Sequence, residues 1–180
     1  RSSAGLFDLH ELTRQFAEEH LKQLDEARQI ELRRHYATYY LRMLNAREAE
    51  LFGADPRPVI ARVQHELQNI QQAWYWAATY GLESELRTAL PALARYYEIS
   101  GLASTGLGDL SIADALLTRD EESGKTQPDP NLLGALRTEQ VHMLMGLSRY
   151  EEARQLAGES EGLVTEPRLK AALYLAWGRS

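Results

Sequence analysis

The fold class of this chain follows from one stretch, Leu93-Ala94-Arg95-Tyr96-Tyr97-Glu98-Ile99-Ser100-Gly101. Leu93, Ala94 and Tyr97 fall on one face at helical spacing, and the glycine stands where a helix would end. Gly106 and Ala113 then place small residues along the following helical segment. Small residues allow two helices to cross closely while large ones fill the space beside the crossing. We therefore predict a closely packed pair of antiparallel helices.

The same pattern returns in weaker form further along the chain. Ala153 in Tyr150-Glu151-Glu152-Ala153 takes the small position of a second helix, while Leu144 replaces the aromatic residue and Val141 the small one. A third copy begins near the end of the sequence, at Tyr174, Trp177 and Gly178. Internal repetition of this kind is typical of stacked helical units.

Over residues 83–180 these positions resemble the tetratricopeptide repeat, a helix–turn–helix unit of about 34 residues. The resemblance implies a right-handed α-solenoid built from antiparallel helix pairs. The alternative is an irregular helical bundle that matches the repeat pattern by chance.

Apolar residues recur at steps of three and four along most of the chain, which predicts an all-α protein with about eight helices. Pro91 should kink or offset the fourth helix because proline removes a backbone donor. The charged segment 118–131 contains Gly124, Pro128 and Pro130 and is predicted to be a loop. The predicted helices begin at Leu9, cover 26–52, 58–80, 83–100, 104–117, 132–147 and 150–163, and resume at Pro167.

The first part of the chain resembles a narrower family. The segment from Phe7-Asp8-Leu9-His10 to Arg14-Gln15-Phe16-Ala17 is similar to the strand and helix that leave the winged-helix region of bacterial STAND-class ATPase regulators. Glu66-Leu67-Gln68-Asn69-Ile70, continuing to Ala73 and Trp76-Ala77, resembles the Glu-x-x-Asn-Leu helix of that family. Arg95-Tyr96-Tyr97 with Gly101 resembles the aromatic–glycine signature that follows it.

This resemblance implies a domain organisation and a function. Residues 1–24 would be the remnant of a winged-helix domain and its connecting helix, and residues 25–180 a truncated repeat domain. In LuxR-like and SARP-like members of the family, such an array is taken to bind an inducer or a partner protein. We therefore expect a regulatory binding module that adjoins ATPase and winged-helix domains of the same chain. A constitutive scaffold used for oligomerisation is the alternative.

Composition narrows the possible partners and compartments. The formal net charge of −6 argues against nucleic acid as the main partner, because phosphate binding needs a basic face. There are no cysteines, which excludes disulfides and thiolate metal sites. No apolar run approaches the roughly 18–20 residues that span a membrane. We expect a cytoplasmic location and, since the chain starts at Arg1 and ends within a predicted helix, a fragment of a longer protein.

Each motif that resembles a catalytic or metal-binding site lacks a residue that the site requires, so we expect neither an enzyme nor a bound cofactor or metal. Ser123-Gly124-Lys125-Thr126 resembles the end of a phosphate-binding loop, but Arg119 stands where that loop needs its first glycine. His10 and His65 each precede a glutamate as in zinc-protease helices, yet neither is followed by a histidine four residues later. The glycine at position 106 is better explained by close packing of two helices than by contact with a bound ligand.

Aromatic residues are the strongest candidates for a binding surface. Trp74, Tyr75 and Trp76 point about 100° apart on a helix and cannot all face one core. Most of these rings should pack inside the molecule, and at least one should reach a groove or an interface. The candidate groove or interface residues are Tyr40, Trp74, Trp76, Tyr96 and Tyr97.

The second predicted helix has a basic side. One interpretation is a salt-bridged surface beside Glu26 and Glu31. The other is an interface with the adjoining ATPase domain. The basic side comprises Arg28, Arg33, Arg34 and Arg42.

Overall fold

The computed structural model describes residues 24–122 and 128–162, together with Ala171 and Tyr174. This part of the chain is helical and contains no β-strand, which confirms the predicted all-α class. The predicted helices that start at Leu9 and at Pro167 lie outside the described residues. Within residues 24–122 and 128–162 there are eight helices: α1 (Glu26–Asn45), α2 (Glu48–Leu51), α3 (Arg57–His65), α4 (Leu67–Thr79), α5 (Glu83–Ile99), α6 (Ala103–Glu122), α7 (Pro130–Gly146) and α8 (Tyr150–Ser160).

Two predicted helices are each divided in two. The predicted helix 26–52 breaks after Asn45, where the Arg47 guanidinium donates to the Met43 carbonyl oxygen at 2.6 Å and satisfies an acceptor at the end of α1. The predicted helix 58–80 breaks at Glu66, whose amide turns back to the Val63 carbonyl at 3.0 Å. These contacts depend on side-chain geometry that helical periodicity does not encode.

The predicted loop 118–131 is wrong at both of its ends. Helix α6 continues to Glu122, and the Thr118 hydroxyl donates to the Asp114 carbonyl one turn earlier at 2.8 Å. Helix α7 begins at Pro130, with the Asp129 carboxylate capping the Asn131 amide at 2.8 Å. Residues 123–127, which include the phosphate-loop-like segment, lie outside the description. The five residues that extend α6, at positions 118–122, are polar or charged, and that composition predicted a loop.

Glycines end two helices, and the one at Gly101 stands where the sequence predicted a helix end. Gly81 and Gly101 adopt φ values of +63° and +68°, in the left-handed region that favours glycine. Behind them the Leu82 amide donates to the Ala77 carbonyl at 2.8 Å, and the Leu102 amide to the Tyr97 carbonyl at 2.9 Å. This six-residue closure is the Schellman motif. Helix α5 itself runs from Glu83 to Ile99 through the exposed Pro91.

The helices pack in two rows. Helices α1, α5 and α7 contact one another in that order, and α4 contacts α6 beside them. Each row also packs against the other, through α1 with α4 and α6 with α7. Helix α8 packs on α7 at the end of the described part. A continuous core of leucine, alanine and aromatic side chains lies between the rows.

Within the described residues, no helix is both long and apolar enough to cross a membrane.

Candidate interaction surface

The predicted groove aromatics lie mainly inside the molecule. Trp74, Tyr96 and Tyr97 are buried in the core between the rows, so their rings contribute packing rather than surface. Tyr40 and Trp76 are partly buried beside that core. The adjacent Tyr75 is 45% exposed, which confirms that the three neighbouring aromatics of α4 do not share one core.

Tyr40 and Trp76 belong to an aromatic cluster that joins α1 to α4. The Tyr36 ring lies 4.6 Å from Tyr40 and 5.0 Å from Trp76, centroid to centroid. The Tyr36 hydroxyl donates to the Asn69 carboxamide oxygen at 2.8 Å. Burial is the main reason that the pKa of Tyr36 lies above its ordinary value, and the neighbouring Tyr40 and Glu66 add to it. The cluster therefore has a structural role in holding the first two long helices together.

Part of the basic side of α1 is used within the molecule. The Arg33 guanidinium lies 5.9 Å from the Trp76 ring and donates to the Tyr80 hydroxyl at 3.1 Å. Arg34 donates to the Tyr80 carbonyl at the end of α4 at 2.9 Å, a position where the helix dipole favours a cation. Arg28 pairs with Glu31 at 2.5 Å. Of these three arginines, only Arg28 forms the predicted kind of salt bridge, whereas Arg33 and Arg34 contact aromatic and backbone groups of α4 and Tyr80. The interface with an ATPase domain stays a prediction.

Several residues predicted to pack between repeats are buried as expected. Gly106 is among them, and a Cβ atom there would come within 2.7 Å of Tyr97 Cδ2 and 2.8 Å of Met143 Sδ. The glycine thus allows α6 to approach both α5 and α7. Tyr174 is 46% exposed, and Trp177 and Gly178 lie outside the described residues. The buried members of the set are Leu93, Ala94, Gly106, Ala113 and Ala153.

A hydrogen-bond network on Asp109 joins α4, α5 and α6. The Gln71 carboxamide donates to the Asp109 carboxylate at 2.9 Å, and the Tyr97 hydroxyl donates to the same oxygen. The Trp74 indole donates to the Asp109 carbonyl at 3.2 Å. Burial, and then the hydrogen bond to Asp109, raise the pKa of Tyr97 above its ordinary value. Because its partners come from α4 and α5, Asp109 fixes the positions of these two helices relative to α6.

A second network joins α6 to α7. The Arg137 guanidinium makes two hydrogen bonds to the Asp114 carboxylate, at 2.9 and 3.2 Å. Gln140 donates to the same carboxylate at 3.3 Å and accepts from the Ser111 hydroxyl at 3.1 Å. Two-point pairing of this kind fixes orientation as well as distance.

Two hollows open on the side of the molecule formed by α4, α6 and α8. One, of about 460 Å³, lies against Gln68, Gln71, Gln72 and Tyr75 of α4. The other, of about 270 Å³, lies between α6 and α8 over α7. Leu107, Leu144 and Leu156 provide its apolar lining, and polar side chains surround them.

The exposed side of α4 and α6 lacks charge. Helix α4 carries no charged residue, although 26% of the chain is charged. The first half of α6 carries only Asp109, whose carboxylate is taken by Gln71 and Tyr97. We name this the uncharged face and define it by Gln68, Gln72 and Tyr75 of α4 with Gly108 and Ile112 of α6, all exposed.

Among the described residues, no three histidine or carboxylate side chains lie close enough together to hold a metal ion. The polar side chains at the two hollows are amides, hydroxyls, the Arg149–Glu152 ion pair at 2.6 Å, and Glu159, which accepts a hydrogen bond from the Gln155 amide at 2.9 Å.

No protein-family model matches the chain, and no curated protein or solved structure reaches significant similarity to it. The resemblances to tetratricopeptide repeats and to STAND-class regulators therefore stay predictions from the sequence.

The uncharged face was not predicted from the sequence, because the candidate residues were chosen among aromatic and charged side chains. Gln68, Gln72, Gly108 and Ile112 received no role. The sequence does show this lack of charge, because the sixteen residues Leu67–Leu82 contain no aspartate, glutamate, lysine, arginine or histidine. Protein interfaces are depleted of charged residues at their centre, so such a stretch is informative when it lies on an exposed helix.

Proposed function

We propose that this chain is a tetratricopeptide-like array, a right-handed α-solenoid, that binds a protein partner or a small-molecule inducer. The observation that carries the proposal is the uncharged face beside the two hollows. Two rows of helices form a rigid support, and side chains on an exposed face can vary without disturbing the core. Asp109 and Asp114 hold the helices of this support in place, because each carboxylate accepts hydrogen bonds from side chains of another helix. A surface held in place in this way suits recognition rather than chemistry.

The regulatory part of the proposal rests on the resemblance to STAND-class transcriptional regulators. On that basis the array restrains adjoining ATPase and winged-helix domains until its ligand is bound, acts in the cytoplasm and has no catalytic activity of its own. Reading the gene on both sides of this segment tests the proposal. An upstream Gly-x-x-x-x-Gly-Lys-Ser/Thr after a strand, with a DNA-binding domain, is expected. Flanks made only of further helical repeats would remove the regulatory role.

A pair of matched substitutions tests the binding role in the intact protein. Tyr75 and Tyr150 are 45% and 46% exposed, and Tyr75 lies on the uncharged face whereas Tyr150 starts α8. We expect Tyr75→Ala to reduce the transcriptional response to the inducing condition, and Tyr150→Ala to leave it unchanged. Equal responses from both variants and the parent protein would exclude this face as the regulatory surface.

A constitutive scaffold used for oligomerisation is the second candidate. Tyr75 and Ile112 are exposed on a face without charge, and two copies of such a face can meet without like-charge repulsion. Light scattering over a range of protein concentrations distinguishes the two functions. A mass that rises with concentration and returns to the monomer in Tyr75→Ala favours the scaffold. A constant monomer mass favours the regulatory module. ATP hydrolysis by this segment alone would contradict both.

A further inference from the structure

We propose that the exposed side of α1 is covered by the chain's own preceding residues, with the predicted helix from Leu9 lying antiparallel along α1. The contact fixes residues 1–23 to the array instead of leaving them as a tether, and it does not depend on the proposed binding function. Three observations carry it: a second apolar stripe on α1, the side on which the chain enters α1, and the spacing of apolar residues before that helix.

Helix α1 has two apolar stripes on different sides. Ala37, Leu41 and Leu44 form the first stripe and are buried in the core. The second stripe follows alternating steps of three and four residues, the spacing at which two helices pack along a seam. Two of its members, Leu32 and Tyr39, are 39% and 63% exposed. We name this second stripe the α1 seam and define it by Gln29, Leu32, Tyr36, Tyr39 and Met43.

Helix α4 covers one part of the α1 seam. Trp76 lies 5.0 Å from the Tyr36 ring, centroid to centroid. Tyr39 meets the Tyr40 ring edge-on at 5.0 Å and still keeps most of its own surface exposed. The terminal units of a stacked helical array need a polar outer face, and α1 is the first helix of the described part. The aromatic seam on it therefore needs a further apolar partner.

The chain enters α1 on the side of this seam. The Gln29 carboxamide donates to the Leu24 carbonyl oxygen at 3.0 Å and so holds the entering chain against a seam position. Asp25 has an extended backbone, with φ −61° and ψ 157°, and its carboxylate accepts from the Arg28 amide at 2.9 Å. A helix cannot continue through an extended residue, so a preceding helix has to turn here. Two helices joined by a short turn lie antiparallel.

The residues before α1 have the sequence of a helix with one apolar side. Leu9, Leu12 and Phe16 follow one another at steps of three and four. In a helix, the charged Glu11 and Glu18 lie on the opposite side. Such an amphipathic helix is stable when its apolar side is buried against another surface. It needs a partner for one side, as the α1 seam does.

Length and register agree between the two partners. Residues 9–22 form about 20 Å of helix, and the α1 seam is about 21 Å long. A turn centred on Leu24 makes the apolar spacing on one side the mirror image of the spacing on the other. The pairs that this register brings together are Leu9 with Tyr39, Leu12 with Tyr36, and Phe16 with Leu32.

Cysteine pairs placed in the full chain test the contact, because the chain has no cysteine of its own. Leu9→Cys with Tyr39→Cys joins two positions that face each other in this register. Leu9→Cys with Tyr75→Cys is the matched control, since Tyr75 is another exposed tyrosine. Under mild oxidation we expect the first pair to form a disulfide within one chain at least about tenfold faster than the control pair, and to lose that advantage in urea. Non-reducing gel electrophoresis measures both rates.

Thermal denaturation keeps the contact testable where a cysteine variant fails to fold. Tyr39→Ala should lower the Tm by about 3–6 °C, because a covered ring loses its packing. Tyr150→Ala removes a tyrosine that is 46% exposed and should change the Tm little. Leu9→Ala should also lower the Tm, and the double variant should lose less than the two single losses together, because both remove the same contact.

The remaining outcomes overturn the inference. A disulfide between two chains would identify a second copy as the occupant of the α1 seam. Equal oxidation of the two cysteine pairs, or an unchanged Tm in Tyr39→Ala, would show that residues 9–22 do not lie on α1. The response of the intact protein to Tyr75→Ala judges the binding function separately, so failure of that function and failure of this contact are distinguishable.

Discussion

Gly106 and Gly108 are two positions apart on α6 and have opposite surroundings. A methyl group at position 106 would lie 2.7 Å from the buried Tyr97 ring, while one at position 108 would meet nothing within 4 Å. We expect Gly106→Ala to lower the free energy of unfolding by about 1–3 kcal/mol, the usual range for overpacking. Gly108→Ala should raise it by up to about 1 kcal/mol through helix propensity. Urea denaturation measures both, and changes of the same sign would contradict the packing described.

Alkaline pH should destabilise the fold through its buried tyrosines. Burial raises the pKa of Tyr97 and of Tyr36 above the ordinary value. Below about pH 10, the tyrosine pKa of an unfolded chain, both hydroxyls are protonated in either state and their stabilisation is complete. Above it the unfolded chain loses its protons first, so the free energy of unfolding falls as pH rises toward the folded-state values.

Urea denaturation at a series of pH values, followed by helical circular dichroism, measures this decline. Tyr97→Phe removes one of the titrating groups and should make the decline shallower, although it also loses the hydrogen bond to Asp109 at every pH. A decline as steep in both Tyr97→Phe and Tyr36→Phe as in the parent protein would show that other groups cause it.

Among the helix ends, the two Schellman glycines carry a clear conformational requirement. Gly101 stands at φ +68°, where an L side chain is strained. We expect Gly101→Ala to cost about 1–2 kcal/mol of stability. Gly146 closes α7, also has open space around it and lacks a positive φ, so Gly146→Ala should be neutral or slightly stabilising. Thermal denaturation of the two variants side by side checks this, and equal losses would contradict it.

Helix boundaries set by local chemistry were predictable, and those set by distant contacts were not. The start of α1 after Asp25 and the ends at Gly81 and Gly101 follow from caps that sequence displays. The break at Glu66 does not. Its carboxylate accepts from Asn69 at 2.7 Å, and Asn69 in turn binds Tyr36 of another helix. A one-dimensional pattern contains no record of that pairing.

The candidate surface was predictable to a smaller extent than the helices. Aromatic residues mark both cores and binding sites, and Tyr96 and Tyr97 turned out to be core. Which residue of a run faces outward depends on the rotation of each helix, which the neighbouring rows fix. The sequence required only that at least one ring of Trp74, Tyr75 and Trp76 face outward, because three successive residues of a helix cannot share a side. The exposed ring is that of Tyr75, which was not among the predicted candidates. Gln68 and Gly108 gain significance only once α4 and α6 are known to lie together.

Over the described part of the chain, the burial is unevenly distributed. The large core extends from α1 to α7 and includes Trp74, Tyr96 and Tyr97. A second, small cluster attaches α8 to α7 and contains four buried residues: Val141, Leu144, Ala153 and Ala157. Burial of apolar area contributes about 25 cal/mol per Å², so the two parts differ in how firmly they are held. Among the described residues, α8 is thus attached by a smaller buried cluster than the helices of the large core.

Because that small cluster holds α8, local unfolding should begin there. Helix α8 should detach as a unit while α4, α5 and α6 stay closed, since cooperative subunits of a fold open with free energies that follow their buried contacts. Native-state hydrogen exchange would then give α8 amides lower protection than those of α5, and Leu144→Ala should lower the protection of α8 far more than that of α4. Equal protection throughout would mean a single cooperative unit. If α8 opens in this way, it separates from α7 many times for each global unfolding, and the leucine-lined hollow over α7 is exposed at intervals.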